Sequence, residues 1–371
     1  MRGQSENEKV EKMDLYTAVS LIALMLLVVS ALAIHSSHTI NHRMRRNGLW
    51  TCLLIGLALV FEWAGIKIGE AGPSWIVVHK LAKWAEFCTA PLIGVMATAS
   101  YGKIKHPKLI AALSVAHILF ETVALHFGLV IRVDSANVYH RGILYPIYVV
   151  VFSLSAFFCI TSVLRTELRQ YGAPSSFSLA ILAFLVLGVC LQLFDPALRT
   201  DYLCVAISNF LLYHDRCKLI LQMDGLTGLF NRRCFEKDFE ALKAPAVVLL
   251  LDIDDFKNLN DTFGHAVGDD YLRETASLLR TAFGRGNSCY RYGGDEFCVL
   301  MKKRPETAGD CIAAYEKMIA QKQAADSRFP GVSVGYAVME KGKDIRKALK
   351  EADEMMYSAK KQARGQLSIA P

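Results

Sequence analysis

The chain has 371 residues, of which 53% are hydrophobic and only 21% are charged. Soluble domains carry nearer to one charged residue in four, so this composition argues against a wholly cytosolic globule. The charge is also unevenly distributed, because 29 of the first 214 residues are charged, against 48 of the remaining 157. We therefore expect two regions, one for lipid and one for water, with a boundary near residue 214.

Seven apolar segments in the first region are candidates for membrane-spanning helices, since a span needs about 20 mostly apolar residues. They are residues 15–34, 49–68, 75–100, 109–131, 143–164, 177–194 and 201–213. The last segment is short, so six or seven spans are predicted, with seven preferred. The first has no clear small-residue cleavage site and is followed by the basic run HRMRR at 42–46, which predicts an anchor and not a signal peptide.

The basic residues of the short loops predict the orientation, because Lys and Arg accumulate on the cytoplasmic side. With the N-terminus outside, eight basic residues lie in inner loops and three in outer loops. The eight are Arg43, Arg45, Arg46, Lys103, Lys105, Lys108, Arg165 and Arg169, and the three are Arg132, Arg141 and Arg199. We therefore predict a multi-pass membrane protein with its C-terminal half in the cytoplasm. The net charge of +7 then needs no nucleic-acid partner.

Ionisable side chains inside the predicted spans are costly and usually face a cavity or a partner. They are Glu62, Lys67, Lys80, Lys83, Glu86, His117 and Glu121. Two interpretations stay open: a ligand pocket that opens outward, or mutual salt bridges that hold the bundle together. The segments FEWAGIK and KLAKWAEF loosely resemble the seven-helix sensor region that precedes some bacterial histidine kinases, over residues 14–214.

Residues 209–223, NFLLYHDRCKLILQM, contain neither Pro nor Gly and place apolar residues at helical spacing. We predict that the last span continues as a helix into the cytoplasm. Such a short connection could transmit a rotation or a pairing of helices, or it could be a plain linker.

The C-terminal region alternates strand and helix patterns. The run AVVLLLDI at 246–253 is typical of a buried strand, and CYRY, GGDE and FCVLM predict a hairpin with a glycine turn. Helices are expected over 269–283, 306–323 and 343–363, and a strand over 332–339. The pattern predicts an α/β or α+β domain in which helices pack on a central sheet.

Two acidic groups carry the chemistry of this region. Asp252, Asp254 and Asp255 end the buried strand, and Asp295 and Glu296 lie at the hairpin tip. If the two strands are neighbours, these carboxylates converge, and clustered carboxylates are costly unless a cation lies among them. Oxygen ligands favour Mg²⁺ or Mn²⁺ shared with substrate phosphates, which suggests phosphoryl or nucleotidyl transfer. The alternative is that these are ordinary acidic surface turns.

Five ordered motifs resemble the GGDEF family of diguanylate cyclases. They are DGLTGLFNRR (224–233), LDIDDFKNLNDTFGHAVGDDYL (251–272), RYGGDEF (291–297), SVGYA (333–337) and EADEMMYSAKKQARG (351–365). The resemblance implies a palm-like domain with a central, mostly antiparallel sheet over residues 224–371, after a membrane region over 1–214 and a linker helix over 209–223.

The same resemblance implies roles for individual residues. Asp252, the backbone carbonyl of Ile253, Asp295 and Glu296 would hold Mg²⁺ or Mn²⁺, and Asp295 or Glu296 would help to take the proton from the ribose 3′-hydroxyl. Guanine would be bound by Asn260, His265 and Asp269, and the triphosphate by Lys257, Lys360 and Arg364. Gly293 and Gly294 would let the hairpin backbone approach the nucleotide. Each domain would hold one GTP, so that catalysis would need a homodimer.

The resemblance therefore implies a diguanylate cyclase of the bacterial inner membrane, controlled by a signal that the sequence does not identify. Two other functions stay open: a degenerate domain that binds GTP or cyclic di-GMP without turnover, and a transporter with a regulatory tail. Many family members carry an RxxD product-inhibition motif, but the matching positions here are Gly284 and Asn287, with Arg285 one residue out of place. We expect no product-inhibition site there.

Overall fold

A computed structural model describes residues 2–37, 39–102, 104–171, 175–194, 199–284, 286–340 and 344–367. The chain divides into two compact units, Met1–Lys218 and Leu219–Pro371, close to the point where its charge density changes.

The first unit is built from helices. These are α1 Arg2–Ser36, α2 His42–Gly69, α3 Ile76–Tyr101, α4 Pro107–Phe127, α5 Tyr145–Tyr171, α6 Ser176–Phe194 and α7 Asp201–Leu221. Within the described part of the chain, four stretches are long and apolar enough to cross a bilayer: Leu15–Ser36, His42–Gly69, Pro107–Phe127 and Tyr145–Leu168. Each of the seven predicted spans therefore contains a helix. That α3, α6 and α7 also cross the membrane stays a prediction.

A short hairpin lies between α4 and α5, where the predicted fourth span was too long. That span was expected to continue to residue 131, but α4 ends at Phe127 because Gly128 adopts the left-handed conformation at φ +64°. Strand β1 (Ile131–Val133) then pairs antiparallel with β2 (Tyr139–Arg141). Apolarity continues through Leu129, Val130 and Ile131, which explains why the hydropathy pattern missed the change from helix to strand.

The predicted connection between the regions is helical. Helix α7 runs without interruption from Asp201 to Leu221, over all but the last two residues of the expected helix 209–223, and its role as a linker stays a prediction. The last residue of this helix is held by Asn231, whose side-chain amide donates a hydrogen bond to the carbonyl oxygen of Leu221 at 2.8 Å.

The second unit is a five-stranded sheet with helices on both faces, in the strand order β3-β5-β6-β4-β7. Its elements are β3 Phe230–Asn231, α8 Arg232–Glu240, β4 Ala246–Ile253, α9 Phe256–Phe263, α10 His265–Phe283, β5 Ser288–Arg291, β6 Glu296–Met301, α11 Ala308–Ala325, β7 Val332–Met339 and α12 Ile345–Leu367. Only the β3–β5 pair is parallel among the described strands of this sheet. The predicted mostly antiparallel sheet is confirmed, and the short helices α8 and α9 were not foreseen.

Strand β4 lies at the centre of this unit and is covered on both faces. Leu249 and Leu251 pack with Leu279 of α10 and Tyr315 of α11. Val248, on the other face, packs with Phe235 of α8. Burial of each such side chain stabilises the fold by about 1.5–3 kcal/mol, which is why β4 reads as a continuous apolar run and not as an alternating one.

Candidate active site

Four residues meet at one edge of the sheet. Asp252 at the end of β4 lies opposite Glu296 at the start of β6, as paired positions of the antiparallel ladder. One residue further on, the amide of Ile253 donates a hydrogen bond to the carbonyl oxygen of Asp295 at 3.2 Å. The structure therefore brings together the two acidic groups that the sequence separates by more than 40 residues.

The carboxylates at this edge repel one another. Asp252 is only 5% exposed, and burial raises its pKa, as do the charges of Asp295 and Asp254. Burial also raises the pKa of Glu296, to which the charges of Asp252 and Asp295 add. In both cases Lys360 offsets part of the effect. Clustered negative charges of this kind, of which Asp252 is the buried one, favour the binding of a cation.

The ammonium group of Lys360 forms an ion pair with one of these carboxylates. Its ammonium group reaches from α12 to Asp252, with Nζ 2.5 Å from Oδ1, and its side chain is 21% exposed. A residue expected to neutralise a triphosphate thus lies beside the carboxylate expected to hold a metal. The positive charge of Lys360 lies next to Asp252, at a position where a divalent ion would also be electrostatically favoured.

The donors at this edge fit Mg²⁺ or Mn²⁺ in chemical type, since both ions prefer oxygen ligands. The oxygens are those of Asp252, Asp295 and Glu296, together with the backbone carbonyl of Ile253. Among the described side chains, no group of three or more His, Cys, Asp or Glu residues forms a ready-made metal site. Backbone and substrate oxygens would have to complete the coordination, as is common for Mg²⁺.

The hairpin that carries Asp295 and Glu296 is held by Arg291, a residue for which the sequence suggested no separate role. Its Nε and Nη2 donate to the carbonyl oxygen of Gly294 at 3.1 and 2.7 Å. Its Nη1 reaches Asp224 Oδ1 at 3.2 Å, and Asp224 also accepts hydrogen bonds from Thr227. The DGLT and RYGGDEF motifs are therefore one structural unit. The only sequence signal for this contact was that Asp224 and Arg291 each begin one of the two motifs.

The two glycines of the hairpin differ in their surroundings. A Cβ on Gly293 would lie 2.8 Å from Oε2 of Glu296, whereas a Cβ on Gly294 would have no atom within 4 Å. A Cβ at residue 293 would therefore displace the carboxylate of Glu296 from its present position. The proposed approach of nucleotide to both glycines stays a prediction.

The residues expected to bind guanine lie on α9 and α10. Among the described residues, the buried Oδ1 of Asn260 has no hydrogen-bond partner, and a Cβ on Gly268 would come within 2.0 Å of that oxygen. His265 opens α10 after Gly264, whose φ is +84°. Asp269 lies 3.9 Å from Nη2 of Arg273. Of these three residues, Asn260 therefore has the buried oxygen that could accept a hydrogen bond from a ligand.

Several other expected residues have a different position or lie outside the description. Lys257 is exposed on α9. Asp254 anchors β7, because its amide donates to Gly331 O at 2.9 Å and its Oδ1 accepts from Ser333 Oγ at 2.6 Å. The Arg364 side chain and the whole of Arg285 lie outside the described part of the chain.

At the positions of the product-inhibition motif, Asn287 Oδ1 accepts a hydrogen bond from the amide of Lys303 at 3.2 Å. The amide oxygen of Asn287 therefore joins the start of β5 to the chain that follows β6.

A mixed, mostly antiparallel sheet with carboxylates from a central strand and an adjacent hairpin at one edge defines a nucleotidyltransferase-like palm. Residues 221–366 match the family model "Diguanylate cyclase, GGDEF domain". The C-terminal unit therefore contains a GGDEF domain, and it follows a region of helices of which four, among the described residues, are of membrane-spanning length.

Individual relatives are each similar to part of the chain. The diguanylate cyclase VdcA of Vibrio cholerae is 34% identical over 39% of this chain and 45% of its own length. An uncharacterised membrane protein of Staphylococcus saprophyticus is 31% identical over 40% of this chain and 46% of its own length. The chain thus spans less than half of either relative. The solved GGDEF domain of DgcB from Caulobacter crescentus, in complex with c-di-GMP, is 26% identical, covering 38% of this chain and 89% of that one, with a TM-score of 0.35.

Proposed function

We propose that this protein is an active, membrane-bound diguanylate cyclase that condenses two GTP molecules into cyclic di-GMP and two pyrophosphates. The observation that carries the proposal is the pairing of Asp252 with Glu296 beside Asp295 in a domain of the GGDEF family. The relative VdcA is named a diguanylate cyclase, and the proposal extends that activity to this chain.

In the proposed reaction, the 3′-hydroxyl of one GTP attacks the α-phosphorus of the other, and pyrophosphate leaves. The hydroxyl proton passes to a carboxylate of the Asp295–Glu296 pair. Asn260, His265 and Asp269 bind the guanine, and a carboxylate such as Asp269 suits its N1–H and amino donors. Lys257, Lys360 and Arg364 neutralise the triphosphate, with the lysines acting as point charges and the arginine as a fork.

Asp252, the Ile253 carbonyl, Asp295 and Glu296 are the residues that would hold Mg²⁺. The ion would supply positive charge that stabilises the phosphates as charge develops on them. The fit rests on the all-oxygen donor set and on the raised pKa values of Asp252 and Glu296.

Because each domain binds one GTP, the reaction needs two domains face to face, and we propose a homodimer. The N-terminal unit is proposed to span the bacterial inner membrane, with the GGDEF domain in the cytoplasm, and to control the pairing of the two domains through α7. This part of the proposal rests on the basic inner loops, the apolar helices and the uninterrupted α7.

The proposed activity is tested by incubating the purified full-length protein with Mg²⁺ and GTP and by measuring cyclic di-GMP. The wild type is expected to form product, and Asp295→Ala to lose it. Asp310→Ala, which alters an exposed carboxylate on α11, is the matched control and is expected to retain the rate.

The second candidate function is a receptor that binds GTP or cyclic di-GMP without turnover. The filled acidic signature favours the enzyme, since a receptor has no need of Asp295 or Glu296. Saturable nucleotide binding by the wild type with no product, at any Mg²⁺ or Mn²⁺ concentration, would establish the receptor instead.

A further inference from the structure

One end of the helical unit gathers ionisable side chains from separate helices. The Tyr16 hydroxyl of α1 donates to Oε2 of Glu62 on α2 at 2.7 Å, and Lys83 Nζ lies 2.8 Å from Oε2 of Glu86 on α3. The guanidinium of Arg199, just before α7, lies over the Tyr16 ring at 5.7 Å. The orientation predicted from the loop charges places this end of the bundle on the outer side of the membrane.

This layer contains more acidic than basic groups. Its carboxyl groups are those of Glu62, Glu86, Glu121 and Asp201, and its cations are Lys83, Arg141 and Arg199. Four carboxylates cannot all be ionised in an apolar interior beside three cations without a large cost in free energy. An additional positive species, such as a proton, would therefore be favoured in this layer.

Among these carboxyl groups, Glu121 is the one whose negative charge has no counter-charge among the described residues. It is 0% exposed, and among the described residues neither of its oxygens has a hydrogen-bond partner. It lies on the buried face of α4 with His117 and Ala124. His117 Nε2 is 3.1 Å from the carbonyl oxygen of Phe87 on α3, so this face of α4 packs against α3 and Glu121 points into the contact.

The groups that surround Glu121 come from every element packed around it. Those next to Glu121 are Cys88 of α3, His117 of α4, Tyr139 of β2 and Tyr148 of α5. Around Tyr139 lie in turn Lys83 and Glu86 of α3, Arg141 of β2 and Tyr145 of α5. Both cations among them are engaged elsewhere. Lys83 pairs with Glu86 and lies 5.5 Å from the centre of the Tyr139 ring, and Arg141 lies 4.8 Å from the centre of the Tyr145 ring.

We propose that Glu121 is a proton-binding site through which the membrane unit responds to the acidity of the outer compartment. A proton on the carboxylate gives a neutral acid that the contact between α3 and α4 tolerates. Loss of that proton leaves a negative charge without a counter-ion in the same contact.

The β1–β2 hairpin supplies an element that the charge can displace. Asn137 at its turn is fully buried, and its side-chain amide donates to Ile68 O at 2.6 Å while its Oδ1 lies 3.1 Å from His79 Nδ1. Tyr139 of the hairpin lies within electrostatic range of Glu121 and has a buried hydroxyl without a partner among the described residues. Ionisation of Glu121 therefore acts on the hairpin and on the α3–α4 contact together.

The site is tested on the full-length protein in lipid nanodiscs, by infrared difference spectra between ~pH 5 and ~pH 8. The wild type is expected to show the carbonyl band of a protonated carboxyl group, which is lost as the pH rises. Glu121→Gln, which has nearly the shape of the neutral acid, is expected to lack that band, and Glu121→Asp to shift it. Glu70→Gln, at an exposed position after α2, is the control and should leave the band intact.

A Glu121→Gln spectrum identical to that of the wild type would overturn the proposal. That result would mean that Glu121 does not titrate in this range, whether because it stays protonated or because an organic ammonium or metal ion holds it ionised. The spectral test does not depend on cyclase activity. The link to signalling rests on the proposed function, and it predicts that cyclic di-GMP synthesis in proteoliposomes follows the outer pH in the wild type and not in Glu121→Gln. A pH response that Glu121→Gln leaves unchanged would refute that link.

Discussion

Arg291 and Asp224 join two motifs that lie 67 residues apart, with Nη1 3.2 Å from Oδ1 and side chains only 16% and 23% exposed. Arg291 also donates a hydrogen bond to the carbonyl oxygen of Gly294, so this one side chain links the hairpin tip to Asp224. The pair is half-buried and hydrogen-bonded, which distinguishes it from the exposed ion pairs that contribute little.

We expect Arg291→Ala to destabilise the hairpin by about 2 kcal/mol, because a charge-assisted hydrogen bond is lost on each side. A displaced hairpin would move Asp295 and Glu296, so cyclic di-GMP synthesis should fall on the order of 100-fold. Arg291→Lys keeps the charge but cannot form both contacts, and it should recover only part of the rate. Full activity of Arg291→Ala would show that the hairpin keeps its position without this anchor.

Gly268→Ala should impair GTP binding by displacing Asn260. The added Cβ would lie 2.0 Å from Asn260 Oδ1, so the amide must turn away from its present position. Loss of a hydrogen bond from guanine predicts a rise in KM of about tenfold. The matched variant is Asn260→Ala, and the double variant should be no worse than either single one, because both remove the same contact. Additive effects would show that Gly268 acts separately from Asn260.

Gly335→Ala should destabilise the GGDEF domain through a backbone clash. Gly335 of β7 packs so closely on α12 that a Cβ would lie 2.1 Å from Ala352 O and 2.3 Å from Met356 N. We expect a loss of about 2–3 kcal/mol, as for other overpacked contacts. Gly309→Ala is the control, because its Cβ would have no atom within 4 Å, and it should leave the domain equally or slightly more stable.

All four tryptophans lie in the first unit, so fluorescence does not report on the GGDEF domain. Hydrogen exchange of the β7 amides, followed by mass spectrometry in increasing urea, measures the expected difference. Equal protection of β7 in the two glycine variants would contradict the packing argument.

Asp326 should make the GGDEF domain sensitive to acid. Hydrogen bonds from the Arg328 side chain, the Arg328 amide and the Tyr271 hydroxyl lower its pKa to about 2. An unfolded Asp has a pKa of about 3.9, so the ionised form stabilises the fold above that pH, and the contribution is lost as the pH falls towards about 2. The group is exposed, so the effect should be small.

This acid dependence is measured as the difference in hydrogen-exchange protection between the wild type and Asp326→Asn. The wild type should be the more protected at neutral pH, and the difference should disappear between ~pH 4 and ~pH 2. Glu316→Gln, at an exposed position in the middle of α11, should match the wild type at both pH values. A difference that persists at ~pH 2 would assign the effect to the shape of the side chain and not to its charge.

The local elements with strong periodicity could be predicted from the sequence. Strand β4 has the predicted bounds of 246–253 because a strand buried on both faces must be apolar at every position. The break in charge near residue 214 likewise identified the two regions, since lipid excludes charged side chains. Helix α4 was predicted four residues too long because hydropathy does not register the left-handed backbone of Gly128.

Contacts between distant segments required the tertiary structure. The sequence by itself determined the membrane-like region, the order of the longer strands and helices of the second unit and the identity of its acidic motifs, because each depends on residue type and short-range spacing. The fold decided that Arg291 binds Asp224, that Lys360 lies against Asp252 and that Glu121 is buried without a partner among the described residues. Those relationships depend on which strands and helices become neighbours, and a linear pattern of apolar and polar residues does not encode that choice.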